Sequence, residues 1–306
     1  MSFIGQNSKY RPFLKWAGGK TQLLNTLVSF LPYSFNKQKE VTYIEPFIGG
    51  GAFLFFLLDN YPNLARIVIN DINPNLIITY QAVKNNPLGL IESLKKIEHD
   101  YISLDDQEKQ KKYYYEKRDM FNSDEISEIE RASLMIFLNR TCFNGLYREN
   151  SKGHFNVPFG RYKKPKICDE QLLLNDSEAL QKVEILCGDY SKTKDYINGY
   201  TFFYFDPPYR PLSATSNFNS YVKESFNDNE QIRLSHFMTE LTNLGCYCLL
   251  SNSDSKVNNI TDTFMEDLYS NYFIDHVEAR RSINSNPNRR GNLTELLIRN
   301  YPYILD

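Results

Sequence analysis

Apolar and polar positions fall into two regimes along this chain. Apolar runs rich in β-branched and aromatic residues stand at 41–45, 66–70, 183–187, 201–205, 247–250, 272–277 and 295–299, and each predicts a strand. The first run breaks at Pro46 and Gly49-Gly50-Gly51, and helical spacing follows from Ala52 to Asp59 and again from Asn73 to Asn85. From about Pro87 to Arg140 the strand runs vanish, and long charged segments rich in Lys, Glu and Tyr predict helices. A basic, turn-rich stretch comes next, and then the strands return. Alternating strands and helices predict an α/β fold with a parallel sheet, interrupted by a helical insertion. No room for a crossover helix separates the last two strands, so they predict an antiparallel pair. The expected division is a sheet domain of residues 1–85 plus 180–306, with an inserted domain of residues 86–179.

The run at 202–209 reads Phe-Phe-Tyr-Phe-Asp-Pro-Pro-Tyr. Nothing in its first half is charged, which suits a buried strand. Pro207 and Pro208 then end it, because neither can donate a ladder hydrogen bond and each fixes φ. The product is a stiff corner at the C-terminal end of a strand, where open α/β sheets bind ligands. It carries one carboxylate (Asp206), rigid carbonyls (Pro207 among them) and one ring (Tyr209). Such a corner can hold an amino group between oxygen acceptors while the flat ring that bears it stacks on Tyr209.

Two segments suggest what lies beside that corner. In Glu45-Pro-Phe-Ile-Gly-Gly-Gly51, glycines between strand and helix let backbone approach a ligand closely. Asp71 ends the next strand, where nucleotide-binding sheets often carry an acid for ribose hydroxyls. The spacing is not Gly-x-Gly-x-x-Gly, so a nucleoside without a pyrophosphate fits better than a dinucleotide. A tight turn and a helix-capping Asp71 fit the same residues, and both readings stay open at this point. Upstream, Phe13-Leu-Lys-Trp-Ala-Gly-Gly-Lys20 places the sole tryptophan, Trp16, and Lys20 around two glycines. Core packing and a solvated lysine explain them as well as a loop folded over a small molecule.

Composition narrows the class further. The chain has 306 residues, 42% hydrophobic and 24% charged, as globular proteins do. No 18-residue apolar run predicts a membrane span, and the polar start, Met1 to Tyr10, does not read as a signal peptide. Five irregularly spaced cysteines predict reduced thiols and a cytoplasmic protein, with Cys246 and Cys248 as core residues. Four scattered histidines give no metal-ligand cluster, and no metal is expected. Net charge is only −2, yet the distribution is uneven. Residues 139–166 hold Arg140, Arg148, Lys152, Arg161, Lys163, Lys164 and Lys166 against one acid, Glu149, and Arg280, Arg281, Arg289 and Arg290 form a second cluster. Two basic clusters in turn-rich sequence predict a phosphate-contacting surface, with Arg289 and Arg290 on phosphates in the loop between the last two strands.

The ordered set Lys15-Trp-Ala-Gly-Gly-Lys20, Glu45-Pro-Phe-Ile-Gly-Gly-Gly51, Asn70-Asp-Ile-Asn73 and Asp206-Pro-Pro-Tyr209 resembles the Dam-like DNA adenine N6-methyltransferase family. Leu138-Asn-Arg-Thr-Cys-Phe-Asn-Gly-Leu-Tyr-Arg148 and Gly153-His-Phe-Asn-Val-Pro-Phe-Gly160 look like that family's recognition segments, and the likeness runs from about residue 10 to 301. It implies a Rossmann-like methyltransferase sheet with an inserted, mainly helical target-recognition domain. It also implies an S-adenosyl-L-methionine-dependent enzyme acting on double-stranded DNA, at GATC; nothing in the sequence demands more than a monomer. Position by position, the resemblance implies cofactor contacts from Trp16, Lys20, Phe47, Gly49, Asp71, Asp189 and Asp206. It implies catalytic roles for Asp206, Pro207 and Tyr209, and DNA contacts from Arg140, Asn144, Tyr147, Arg148 and Asn156. Ala17 and Ile48 are small or apolar departures within those motifs.

The chemistry is consistent with that resemblance. The exocyclic amine of adenine is a weak nucleophile and is buried in the base stack, so the nucleotide must be flipped out. Cytosine-N4 methylation would use the same corner, but its usual first residue is Ser, so Asp206 favours adenine. A dinucleotide-dependent oxidoreductase would need the missing glycine pattern. A non-catalytic DNA-binding regulator would not need Asp206-Pro207-Pro208-Tyr209.

Overall fold

In the computed structural model, residues 8–210, 226–254, 256, 261–279 and 293–303 are described. The strands among them are β1 (Val41–Glu45), β2 (Leu64–Asp71), β3 (Val183–Cys187), β4 (Thr201–Phe205), β5 (Tyr247–Ser253), β6 (Phe273–Ala279) and β7 (Leu293–Arg299). The helices are α1 (Leu24–Ser29), α2 (Ala52–Asn60), α3 (Pro74–Asn85), α4 (Pro87–Ile102), α5 (Gln107–Phe121), α6 (Glu128–Thr141), α7 (Glu170–Leu180), α8 (Asp228–Asn243) and α9 (Phe264–Leu268). The sheet order is β3-β2-β1-β4-β5-β7-β6. β1 pairs in parallel with β2 and β4, and β4 with β5, whereas β7 runs antiparallel to both β5 and β6. The fold is therefore the mostly parallel α/β sheet with an antiparallel final pair that the hydrophobic pattern predicts.

The chain folds as two compact units. One is built from Met1–Lys20, Gly49–Asn60 and Asp71–Gly188, the other from Thr21–Ile48, Tyr61–Asn70 and Asp189–Asp306. The expected insertion, residues 86–179, falls wholly within the first of these units.

In the second unit, every residue of β1 and β4 is buried, as expected of strands covered on both faces. Phe202 stacks on Tyr43 at 6.1 Å, and Phe203 on Phe205 at 5.7 Å. β5 extends three residues past the apolar run that predicts it. Ser251, Asn252 and Ser253 are buried yet pair with Leu297, Leu296 and Glu295 of β7. Apolarity is a poor guide there because these side chains serve the corner that follows β4.

In the first unit, α6 is buried from Ala132 to Asn139, as a helix apolar on every face must be. A capping box starts it: Ser127 accepts from the Glu130 N–H, and Glu130 reaches back to the Ser127 N–H. α3 begins with Pro74 in its first turn, and the Asn73 side chain accepts from the Asn75 and Leu76 N–H groups. Asn73 is thus the cap of α3, which leaves Asp71 for another task.

One buried acid in this unit gives a stability prediction. Asp176 of α7 is fully buried; Oδ1 accepts from the Arg11 N–H at 3.2 Å, and Oδ2 has no partner. Burial pushes its carboxyl from the ordinary 3.8 up to about 8, against the backbone hydrogen bond and charge of Arg11. The folded state then holds a proton that the unfolded chain releases, so stability falls as pH rises from about 4 to about 8. Asp176→Asn is expected to gain about 1–3 kcal/mol over the wild type at pH 9. The gain should be absent at pH 4, and parallel urea titrations at the two pH values check it.

Candidate active site and nucleic-acid interface

Within the second unit, the corner after β4 is held by its neighbours from several directions. Ser251 Oγ exchanges a hydrogen bond with the Tyr204 hydroxyl at 2.9 Å and lies 3.5 Å from Asp206 Oδ1. The fully buried Gln231 of α8 donates to the Pro208 carbonyl at 3.3 Å, and Asn252 donates to Gln231 Oε1 at 3.1 Å. Tyr209 donates its hydroxyl to Glu295 Oε2 at 2.7 Å, and Ser253 donates to the Arg210 carbonyl at 3.2 Å. Arg210 clamps the exit with a two-point bond to Asp228, at 2.8 and 3.1 Å, and one to Asp262 at 2.6 Å. Burial, then the charges of Asp206 and Glu295, push the Tyr209 hydroxyl well above its ordinary value, so it stays a neutral donor. A carboxylate, a stiff carbonyl and an aromatic face are thus presented with their rotamers fixed.

Phe47 and Asp189 also belong to this unit. Phe47 packs on Tyr190 at 5.2 Å and on Phe226 at 5.6 Å. Asp189 accepts from Arg233 through both oxygens, at 2.6 and 2.8 Å, and from the Ser191 N–H at 3.0 Å. The Arg233 guanidinium holds the Asp189 carboxyl well below the usual carboxylate range, and it also lies over the Tyr190 ring at 4.7 Å. Asp189 is therefore engaged in capping and ion pairing.

The glycine turn and its acid meet in the first unit. Asp71 Oδ2 accepts from the Gly49 N–H at 3.1 Å and Oδ1 from the Asn73 N–H at 3.0 Å. Burial raises the Asp71 carboxyl from its ordinary value, while backbone donors from Asn73, Gly49 and Ile72 pull it back. Gly49 has φ +47°, and a Cβ there would stand 2.8 Å from Trp16 Cδ1. Glycine is required both for the conformation and for the approach of the indole. Trp16 in turn stacks on Tyr147 at 5.4 Å and 22°. Lys20 is buried, and its Nζ donates to the Gly18 carbonyl at 2.9 Å.

The residues of 139–156 to which the resemblance assigns DNA contact also lie in the first unit. Asn144 occupies the left-handed region at φ 56° in the turn after α6, beside Phe143, whose ring is 48% exposed. Arg148 is exposed; its Nε donates to Asn156 Oδ1 at 2.6 Å and the Asn156 N–H donates to the Arg148 carbonyl at 3.0 Å. These two residues close a short hairpin, with Glu149 bridged to Phe155. Tyr147 instead turns inward: its hydroxyl donates to Glu149 and accepts from Asn75. Arg140 donates to the Phe13 carbonyl at 2.8 Å, and burial lowers its guanidinium from the ordinary value. It lines a cavity of about 260 Å³ with Lys15, Tyr162, Lys163, Lys164 and Lys166. Such a concentration of cations suits a polyanion. Arg280, Arg281, Arg289 and Arg290 lie outside the described residues.

Sequence reasoning misses Glu295, Ser251 and Gln231 because nothing local marks them as supports of the corner. All five cysteines are free thiols, with Cys246 and Cys248 buried in the core. Among the described residues, no helix is long and apolar enough to cross a membrane.

Comparison with known proteins gives a consistent result. The chain is 48% identical over 294 residues to the type II methyltransferase M.MjaIII of Methanocaldococcus jannaschii, covering 95% of this chain and 99% of that one. It is 40% identical over 307 residues to the type II methyltransferase M1.LlaDCHI of Lactococcus lactis, covering 98% and 99%. It is 34% identical over 289 residues to the DNA adenine methylase of Escherichia coli K12, covering 94% and 95%. Residues 16–283 match the family described as D12 class N6 adenine-specific DNA methyltransferase. A match spanning both units and relatives similar over nearly their whole length lead to one conclusion: the chain belongs to the D12 class of N6 adenine-specific DNA methyltransferases.

Proposed function

We propose that this enzyme transfers the methyl group of S-adenosyl-L-methionine to N6 of the adenine in GATC, with that adenine flipped out of duplex DNA. The observation that carries the reading is the corner itself, with Asp206, Pro208 and Tyr209 held by Ser251, Gln231 and Glu295. The residues suit the cofactor. Gly49 leaves its turn without a Cβ, Asp71 offers a carboxylate near its N–H, and Lys20 offers a buried ammonium. Trp16, Lys20, Phe47, Gly49, Asp71, Asp189 and Asp206 are the residues assigned to holding it. S-Adenosyl-L-methionine supplies an electrophilic sulfonium methyl group.

The protein's part is to prepare the nucleophile. The Asp206 carboxylate and the Pro207 carbonyl accept hydrogen bonds from the two N–H groups of the adenine amine, which draws its lone pair out of the ring and aims it; once N6 carries the methyl group, one of those protons departs through Asp206 or to solvent. Tyr209 stacks on the extruded base and replaces part of the lost stacking. Holding both reactants in this geometry supplies much of the rate. Within residues 86–179, Arg148 reads a base edge, Asn144 and Asn156 support it, and Arg140 lies with the lysines that attract phosphate. Tyr147 takes part through packing, and Arg289 and Arg290 remain assigned to phosphate. Free thiols suit a cytoplasmic enzyme, and the enzyme is proposed to work as a monomer.

Methyl-labelled S-adenosyl-L-methionine tests both the donor and the site. Label should enter a duplex holding GATC and not a duplex of the same composition with the four bases permuted. Equal labelling of the two duplexes would refute the target, and no labelling would refute the donor.

A further inference from the structure

Asn139, near the C-terminal end of α6, is 2% exposed and uses its whole side-chain amide on two other segments. Oδ1 accepts from the Lys15 N–H at 2.8 Å, and Nδ2 donates to the Lys15 carbonyl at 2.7 Å. One amide thus pairs with both backbone groups of Lys15, as a neighbouring strand would. Nδ2 also donates to the Gly145 carbonyl at 3.1 Å. Gly145 has φ +62°, and a Cβ there would stand 2.6 Å from Lys15 Cδ and 3.3 Å from the Asn139 carbonyl. The turn at 143–145 is therefore pressed directly onto Lys15.

The neighbouring residues carry the connection outward. Trp16 lies against the glycine turn on one side, with Gly49 and Gly50 leaving room only for hydrogen at Cα. It also stacks on Tyr147, whose hydroxyl is fixed by Asn75 and Glu149. Arg140, next to Asn139, ties down the Phe13 carbonyl. Residues 13–16, the glycine turn and the start of the recognition segment are consequently packed as one piece, with Asn139 at its centre.

We propose that Asn139 is a positioning residue that couples the two binding events, so that cofactor and target DNA each tighten the binding of the other. The inference rests on the assignment above of Trp16 and Gly49 to the cofactor and of residues 143–148 to DNA. Ordering the Lys15–Trp16 segment for one ligand orders Gly145 and Tyr147 for the other through the same three hydrogen bonds. Linkage requires the effect to be equal in both directions.

Calorimetry with S-adenosylhomocysteine, which binds without reacting, measures this coupling with and without a saturating GATC duplex. The ratio of the two dissociation constants should be about 5-fold or more in the wild type. Titrating the duplex with and without S-adenosylhomocysteine should give the same ratio. Asn139→Ala and Tyr147→Leu should each bring it within about 2-fold of one, while Tyr147→Phe, which keeps the ring on Trp16, should retain the wild-type ratio. Should Asn139→Ala fail to fold, the Tyr147→Leu and Tyr147→Phe pair decides the matter. A general loss of stability would lower the melting temperature without moving the ratio. A wild type that binds both ligands with a ratio of one, or an undiminished ratio in Asn139→Ala or Tyr147→Leu, overturns the inference alone. A wild type that fails to bind either ligand overturns the site assignments and the inference with them.

Discussion

Asp206→Ala should abolish methyl transfer while leaving DNA binding intact. Asp206 supplies a charged acceptor of the corner, and a charge-assisted hydrogen bond is about twice as strong as a neutral one. Without it the adenine amine keeps its lone pair delocalised in the ring, and the Pro207 carbonyl alone must orient the group. Removing one preorganised polar partner of a reacting centre costs on the order of 10²–10³ in kcat. An acceptor that carries full charge should sit at or above the upper end of that range. DNA affinity should change little, since the substitution leaves the cations of residues 139–166 untouched. Single-turnover methylation and filter binding on the same duplex separate the two effects. Wild-type turnover by the variant would remove Asp206 from the chemistry.

Arg148→Ala should relax specificity at one base pair of the target. The guanidinium is exposed, but its Nε is held by Asn156 Oδ1 at 2.6 Å, so its direction is set before DNA arrives. A preorganised bidentate contact to a guanine edge is worth about 1–3 kcal/mol of discrimination. The ratio of kcat/KM for GATC over a duplex with one guanine replaced should fall by about 5- to 150-fold at that position alone. Asn156→Ala should give a smaller change at the same position, because it loosens Arg148 without deleting it. A uniform loss on every duplex would make Arg148 a phosphate contact instead.

The sequence and the structure agree where local chemistry decides. β1, β3 and β4 occupy the predicted residues because runs rich in β-branched and aromatic side chains favour strands and stop at the Pro, Gly or Asp that follows. The corner at 206–209 was legible for the same reason, since two prolines fix the backbone whatever surrounds it. Legibility fails where partners come from far along the chain. Tyr209 and Glu295 are 86 residues apart, and Asn139 and Lys15 are 124 apart. No periodicity announces such pairs. Ser251, Asn252 and Ser253 were hidden for a related reason: their polarity reads as the end of β5, whereas they are buried and hydrogen-bonded beneath the corner. The resemblance assigned Tyr147 to DNA contact, but the structure commits its ring to Trp16 and its hydroxyl to Asn75 and Glu149. Asp189, assigned to the cofactor, is occupied by Arg233 and Ser191.

The central claim is that the Asp206-Pro207-Pro208-Tyr209 corner presents the amine of a flipped adenine for methylation. The most direct measurement is the mass and retention of nucleosides released from a randomised duplex after incubation with S-adenosyl-L-methionine, with each modified position mapped by sequencing. The account predicts N6-methyladenine, confined to GATC and absent with Asp206→Ala. N4-methylcytosine, or N6-methyladenine spread over unrelated sequences, would contradict it.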